Sequence, residues 1–149
     1  MGTQQILMIV LSVIVVGAAV AVGIQMFDTQ ATNQTRNAMT NDIANMAVQA
    51  QGWFRTPTMM GGGGQTGPAT TDLVAILRYI DSRSDSDTQL ETNNGTYVIA
   101  VVANQGITII GSSNTTPVIN VSAAVNLRMG QEGISIAPNT ATPPTMPAP

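Results

Sequence analysis

A chain of 149 residues has room for one globular domain and an extended segment, and without His or Cys it lacks imidazole bases, thiol nucleophiles, disulfides and the usual haem, thiolate or zinc ligands. Five Arg, no Lys and eight acids give a net charge of −3 with only 9% charged residues, so there is no basic stripe to bind nucleic acid by counterion release. Polarity rests on Thr, Asn, Gln and Ser, which suits a surface facing the outside of a cell or other copies of itself.

The chain opens with an uncharged stretch, residues 1–27, and residues 6–26 are almost wholly aliphatic, broken only by Ser12, Gln25 and small residues. About 21 residues at about 1.5 Å each make roughly 32 Å of helix, the hydrocarbon thickness of a bilayer. The many β-branched residues would suit a strand, but an apolar run of this length exceeds any ordinary strand, and a helix satisfies its own backbone in lipid. Gly17, Ala18, Ala19, Ala21 and Gly23 carry little bulk and let neighbouring helices approach closely. Nothing basic precedes the run, so it reads as a retained segment rather than a signal peptide. With Asp28 just past its far end, the N-terminus is expected on the cytoplasmic side and the bulk of the chain outside.

Beyond Asp28 the helical signal continues. Ala31, Met39, Ile43, Met46, Ala47, Ala50 and Phe54 recur at steps of three and four, and no Pro intervenes. One helix is therefore predicted from about Gly2 to about Trp53, hydrophobic over residues 1–27 and amphipathic over residues 28–56.

Pro57, the run Gly61, Gly62, Gly63, Gly64, and then Gly67 and Pro68 end the helix and predict a flexible loop. No Lys follows these glycines and no strand precedes them, so a phosphate-cradling loop is disfavoured. Thr70 and Thr71 are candidate N-caps, with Asp72 in the first turn, for a second helix carrying Leu73, Ile76, Leu77 and Ile80 and ending near Arg83. The run Asp81, Ser82, Arg83, Ser84, Asp85, Ser86, Asp87 lacks the glycine and terminal Glu of a calcium loop and reads as solvated loop. Turn signals at Asn93, Asn94, Gly95 and at Asn104, Gln105, Gly106 separate strands at residues 96–103 and 107–110. Further strands are predicted at residues 118–127 and 134–137, with a short one at 89–92. Residues 57–137 thus form a head with a small antiparallel sheet and one short helix, an α+β arrangement in which the amphipathic helix covers one sheet face and Trp53 and Phe54 seal the contact. Residues 138–149, with Pro143, Pro144, Pro147 and Pro149, are expected to be an exposed tail. Candidate N-glycosylation sequons begin at Asn33, Asn94, Asn114 and Asn120.

A hydrophobic N-terminal helix running into an amphipathic half, then a loop and a small antiparallel sheet, resembles the type IV pilin family. The segment Gly2, Thr3, Gln4, Gln5, Ile6, Leu7, Met8, Ile9, Val10, Leu11 is similar to a mature pilin N-terminus. The resemblance implies that a peptidase trims a short leader and that the new N-terminus, Met1, is methylated, with a retained start methionine as the alternative. It also implies a structural subunit rather than an enzyme, with no cofactor and no metal. Where bacterial pilins carry a Glu, this chain has Gln5, and their helix-breaking Pro and C-terminal Cys pair are missing. Archaeal filaments often lack the Glu and the Pro as well. By the same resemblance the subunit waits in the membrane and is then lifted by assembly machinery into a helical homopolymer. The helix packed among copies is lined by Ile6, Leu7, Ile9, Val10, Leu11, Val13, Ile14, Val16, Gly17, Val20, Ile24 and Phe27. Two other readings compete: a minor pseudopilin of a secretion or DNA-uptake machine, and a single-span anchored binding module.

Overall fold

The computed structural model describes residues 2–81, 88–102 and 106–146, and it divides into two compact units, residues 1–34 and residues 35–149. Met1, Ser82, Arg83, Ser84, Asp85, Ser86, Asp87, Asn104, Gln105, Pro147 and Pro149, and the expectations attached to them, lie outside the described residues.

The first unit is helix alone. Helix α1 spans Gly2–Arg55, and it continues through Gly17 and Gly23, the two positions where glycine lowers helix propensity most. The β-branched run is helical throughout.

The second unit is α+β. The remainder of α1 places Met39, Ile43, Met46, Ala47, Ala50, Trp53 and Phe54 in the core on one face, as the three- and four-residue spacing requires. The sheet beneath is a five-stranded antiparallel meander in sequence order: β1 (Gln89–Glu91), β2 (Gly95–Val102), β3 (Gly106–Ser113), β4 (Asn120–Asn126) and β5 (Ile134–Ala137). Register aligns inward side chains into rows. Tyr97, Gly111 and Val121 form one row, Ile99, Ile109 and Ala123 the next, and Val101, Ile107 and Val125 a third. Gly111 leaves the room that the Tyr97 ring takes: a Cβ there would stand 2.7 Å from Tyr97 Cε1 and 3.1 Å from Met39 Cε. Each fully buried aliphatic side chain of this core contributes about 1.5–3 kcal/mol. Ile76 and Leu77 join it from helix α2 (Leu73–Ile80).

The strand boundaries differ from the pattern by more than one residue in two places. β3 runs on through Gly111, Ser112 and Ser113, where small and polar residues hide the alternation. β4 begins only at Asn120, because Ser113 holds the preceding residues in a loop: its Oγ accepts from Ile119 N–H (2.8 Å) and its own N–H donates to Ile119 O (2.9 Å). That loop contains the cis peptide Thr116–Pro117. Residues 130–133 form a 3-10 turn ahead of β5.

Two expectations need correction. The N-cap position of α2 is Asp72, not either threonine before it; its side chain reaches back to accept the Ala69 N–H (2.9 Å), and a 3-10 turn, Thr70–Asp72, leads into α2. That helix stops at Ile80, with Asp81 already extended. In the tail, where Pro138, Asn139, Ala141, Thr142 and Thr145 are exposed, the Thr142 carbonyl accepts the Ser122 hydroxyl (2.8 Å). β4 is buried on both faces, with Ser122 and Ala124 as closed to solvent as Val121 and Val125.

The glycine loop is ordered by its backbone. Thr56 precedes Pro57, whose ring disfavours helical backbone at the residue before it, so α1 ends at Arg55. Two of its last carbonyls are then taken by loop amides, Gly63 N–H donating to Trp53 O and Gln65 N–H to Phe54 O, while just past the helix Gly64 N–H donates to Thr56 O, each at 2.9 Å. The Trp53 indole N–H closes the wrap onto Gly61 O (3.1 Å). The loop that the sequence predicts is thus tied to the end of α1 by these hydrogen bonds.

Candidate functional site

The largest uncovered apolar surface is the helix of the first unit. From Ile6 to Phe27 every large apolar side chain is at least half exposed, from 51% at Val10 to 75% at Phe27. This set contains Ile6, Leu7, Ile9, Val10, Leu11, Val13, Ile14, Val16, Val20, Ile24 and Phe27, and no residue of the most apolar 18-residue window is buried. At 3.6 residues per turn these side chains encircle the helix, so no polar face is left to meet water. A helix apolar on all sides is stable only where something apolar surrounds it.

Polar atoms along the segment fit such surroundings. Ser12 is the one hydroxyl amid the aliphatic residues, and its Oγ donates to Met8 O (2.8 Å), so the O–H needs no partner outside the helix. Thr29 and Thr32 close the same way onto Gln25 O (2.9 Å) and Asp28 O (2.8 Å). Around Gly17 and Gly23 the chain leaves open space, which allows close approach of another helix. The segment is long and apolar enough to cross a membrane.

The second unit offers less that resembles a reactive centre. Among the described residues, no three carboxylates converge as a metal site would require. The amides of Gly61, Gly62, Gly63 and Gly64 all donate to carbonyls of the same loop or of α1, so none points outward to hold a phosphate. Trp53 packs its ring against Gly63, where a Cβ would fall 2.7 Å from the ring; it is a clamp on the loop, as packing predicts, and not an exposed ligand platform.

The four sequons are presented very differently. Asn114 and Thr116 are exposed in the β3–β4 loop. Asn94 is half-buried and its Nδ2 donates to Asp42 Oδ2 (2.8 Å). Asn120 opens β4, and its sequon hydroxyl on Ser122 is buried and bonded to Thr142 O. Asn33 is exposed on α1, in mid-helix.

Asp42 went unnoticed in the sequence. It is half-buried beside the core stripe of α1 and its Oδ2 also accepts from the Tyr97 hydroxyl at 2.9 Å. Burial of the phenol, then its hydrogen bond to Asp42 and the Asp42 charge, push the Tyr97 pKa well above the usual tyrosine range. The available signal was an acid lodged between Met39, Ile43 and Met46 on the buried face. Comparison of the sequence with protein-family models and curated proteins, and of the fold with solved structures, gives no match.

Proposed function

We propose that this chain is the structural subunit of an extracellular, type IV pilus-like filament, held in the membrane before assembly and polymerised through the apolar part of α1. The observation that carries this reading is the fully exposed apolar circumference of residues 6–27, in a helix whose later residues serve as the core of a small sheet domain. Lipid satisfies that surface before assembly, and copies of the same helix satisfy it afterwards. Heterologous contacts of this kind do not close on themselves and propagate into a fibre. Some twenty apolar side chains at about 1.5–3 kcal/mol each make extraction of a subunit from the finished polymer very unfavourable. The sparse surface charge lowers repulsion between many packed copies. On this reading the chain has no catalytic role and no cofactor, its main partner is itself, and Met1 is the methylated mature N-terminus.

Electron microscopy of material sheared from producing cells, with mass spectrometry of the dominant band, tests the proposal. Thin filaments made mainly of this chain are the expected result. Exclusive recovery in detergent-extracted membranes would replace it with an anchored module, which the membrane-length apolar segment also fits. Traces within a filament made of another protein would point to a minor pseudopilin.

A further inference from the structure

At the end of α1, an open cleft of about 490 Å³ is lined by Phe54, Arg55, Gln65, Leu127 and Arg128. Two of the five cations of the chain thus face one opening, and among the described residues no carboxylate lines it. Both Arg55 and Arg128 are exposed, and among the described residues neither guanidinium has an ion-pair partner. Like charges sharing a cleft repel, and a chain with so few charges has every opportunity to separate them. The carbonyls at the end of α1, which would otherwise repel an anion, are already occupied by the amides of Gly63 and Gln65. Two guanidinium forks beside the Gln65 side chain suit a carboxylate, which they can hold with paired hydrogen bonds.

We infer that this cleft receives the Asp28 carboxylate of a second copy of the chain, an inference that rests on the filament reading. The charge inventory selects that group. Of the described acids, Asp42 is engaged by Tyr97 and Asn94, Asp72 by the Ala69 amide, and Asp81 has a partner of its own. Glu91 and Glu132 are exposed on the head, where water solvates them. Asp28 is exposed and is the only charged side chain before Arg36, directly after the apolar run. In a polymer that buries this run among copies, its carboxylate stands at the border of a low-dielectric core, where an unpaired charge is costly and a double-arginine partner offsets the cost.

A charge-exchange series in the full-length chain tests the pairing. Arg55→Glu with Arg128→Glu is expected to raise the concentration needed for filament formation by about tenfold or more, and adding Asp28→Arg is expected to restore it. Restoration by Glu91→Arg or Glu132→Arg in place of Asp28→Arg would overturn the assignment. Because the chain has no native Cys, Asp28→Cys with Arg128→Cys gives a second measurement: oxidised filaments should yield a ladder of disulfide-linked chains that neither single variant gives. Wild-type controls separate the two levels of the argument. If wild type forms filaments while the exchanged variants assemble at the same concentration and give no ladder, the pairing alone falls. If wild type forms none, the filament reading fails and the pairing falls with it.

Discussion

The Oδ2 atom of Asp42 accepts the Tyr97 hydroxyl at 2.9 Å and the Asn94 side-chain amide at 2.8 Å, joining α1 to the first hairpin of the sheet. Tyr97 is fully buried, so its hydroxyl has no water to fall back on. Asp42→Ala leaves that donor unsatisfied and is expected to destabilise the head by about 1–3 kcal/mol. Asp42→Asn keeps an acceptor and should cost less. Denaturant unfolding followed by fluorescence of Trp53, the single and buried tryptophan, measures both.

The same contact sets a pH dependence. In the folded chain the Tyr97 pKa lies above its ordinary value of 10.0, because burial and the Asp42 carboxylate both oppose the phenolate. Above about pH 10 the unfolded chain releases a proton that the folded chain keeps, so stability falls as pH rises into that range; below it this group contributes no slope. Tyr97→Phe should flatten the alkaline limb of a stability–pH curve, at a cost of about 0.5–1.5 kcal/mol near neutrality from the lost hydrogen bond. An alkaline limb unchanged in Tyr97→Phe would contradict this assignment.

The glycine loop predicts an asymmetry among glycines. A Cβ at Gly63 would meet the Trp53 ring at 2.7 Å, whereas one at Gly23 meets nothing within 4 Å. Gly63→Ala is therefore expected to destabilise the head by about 1–3 kcal/mol through overpacking, and Gly23→Ala to change it by less than about 0.5 kcal/mol. Thermal melts monitored by Trp53 fluorescence compare them, and equal melting temperatures would show that the loop yields freely.

These cases mark what the sequence could and could not reveal. Periodicity was enough for α1, because Met39, Ile43, Met46, Ala47, Ala50 and Phe54 repeat on one face and no Pro interrupts them before Pro57. Turn residues such as Asn94 and Gly95 located the hairpins. The exposed apolar circumference also follows from composition, since a run whose polar residues are Ser12 and Gln25 alone has no polar face to turn to water. What stayed hidden depends on contacts between distant residues. Nothing local marks Asp42 as the acceptor for Tyr97, 55 positions away. The loop reads as flexible because the carbonyls that receive the Gly63 and Gln65 amides, Trp53 O and Phe54 O, belong to another element. Ser122 reads as a solvent-facing strand residue until Thr142 covers it.

Glycan attachment, where the producing cell performs it, should follow presentation and not the motif. Asn114 is exposed with its sequon Thr116, while the Ser122 hydroxyl in the Asn120 sequon is buried. Intact-mass measurement is expected to show a loss of glycan on Asn114→Gln and no change on Asn120→Gln. A glycan on Asn120 would mean that modification precedes folding of β4.

Two substitutions in α1 separate membrane residence from polymerisation. Val16 is 61% exposed and Gly17 has open space around it. Val16→Asp places a charge in the middle of the apolar run at about 2.5–3.5 kcal/mol in a bilayer, and it should impair both membrane retention and filament formation. Gly17→Leu adds an apolar side chain that lipid accepts readily but that holds neighbouring helices apart. It should leave membrane partition intact while reducing or abolishing sheared filaments. Flotation of membranes and pelleting of sheared material, run side by side, read the two properties separately, and Trp53 fluorescence confirms that the head remains folded in each variant. If Gly17→Leu forms filaments as wild type does, close helix contact at this position is not what holds the copies together, because a leucine side chain cannot fit where two helices approach at glycine distance.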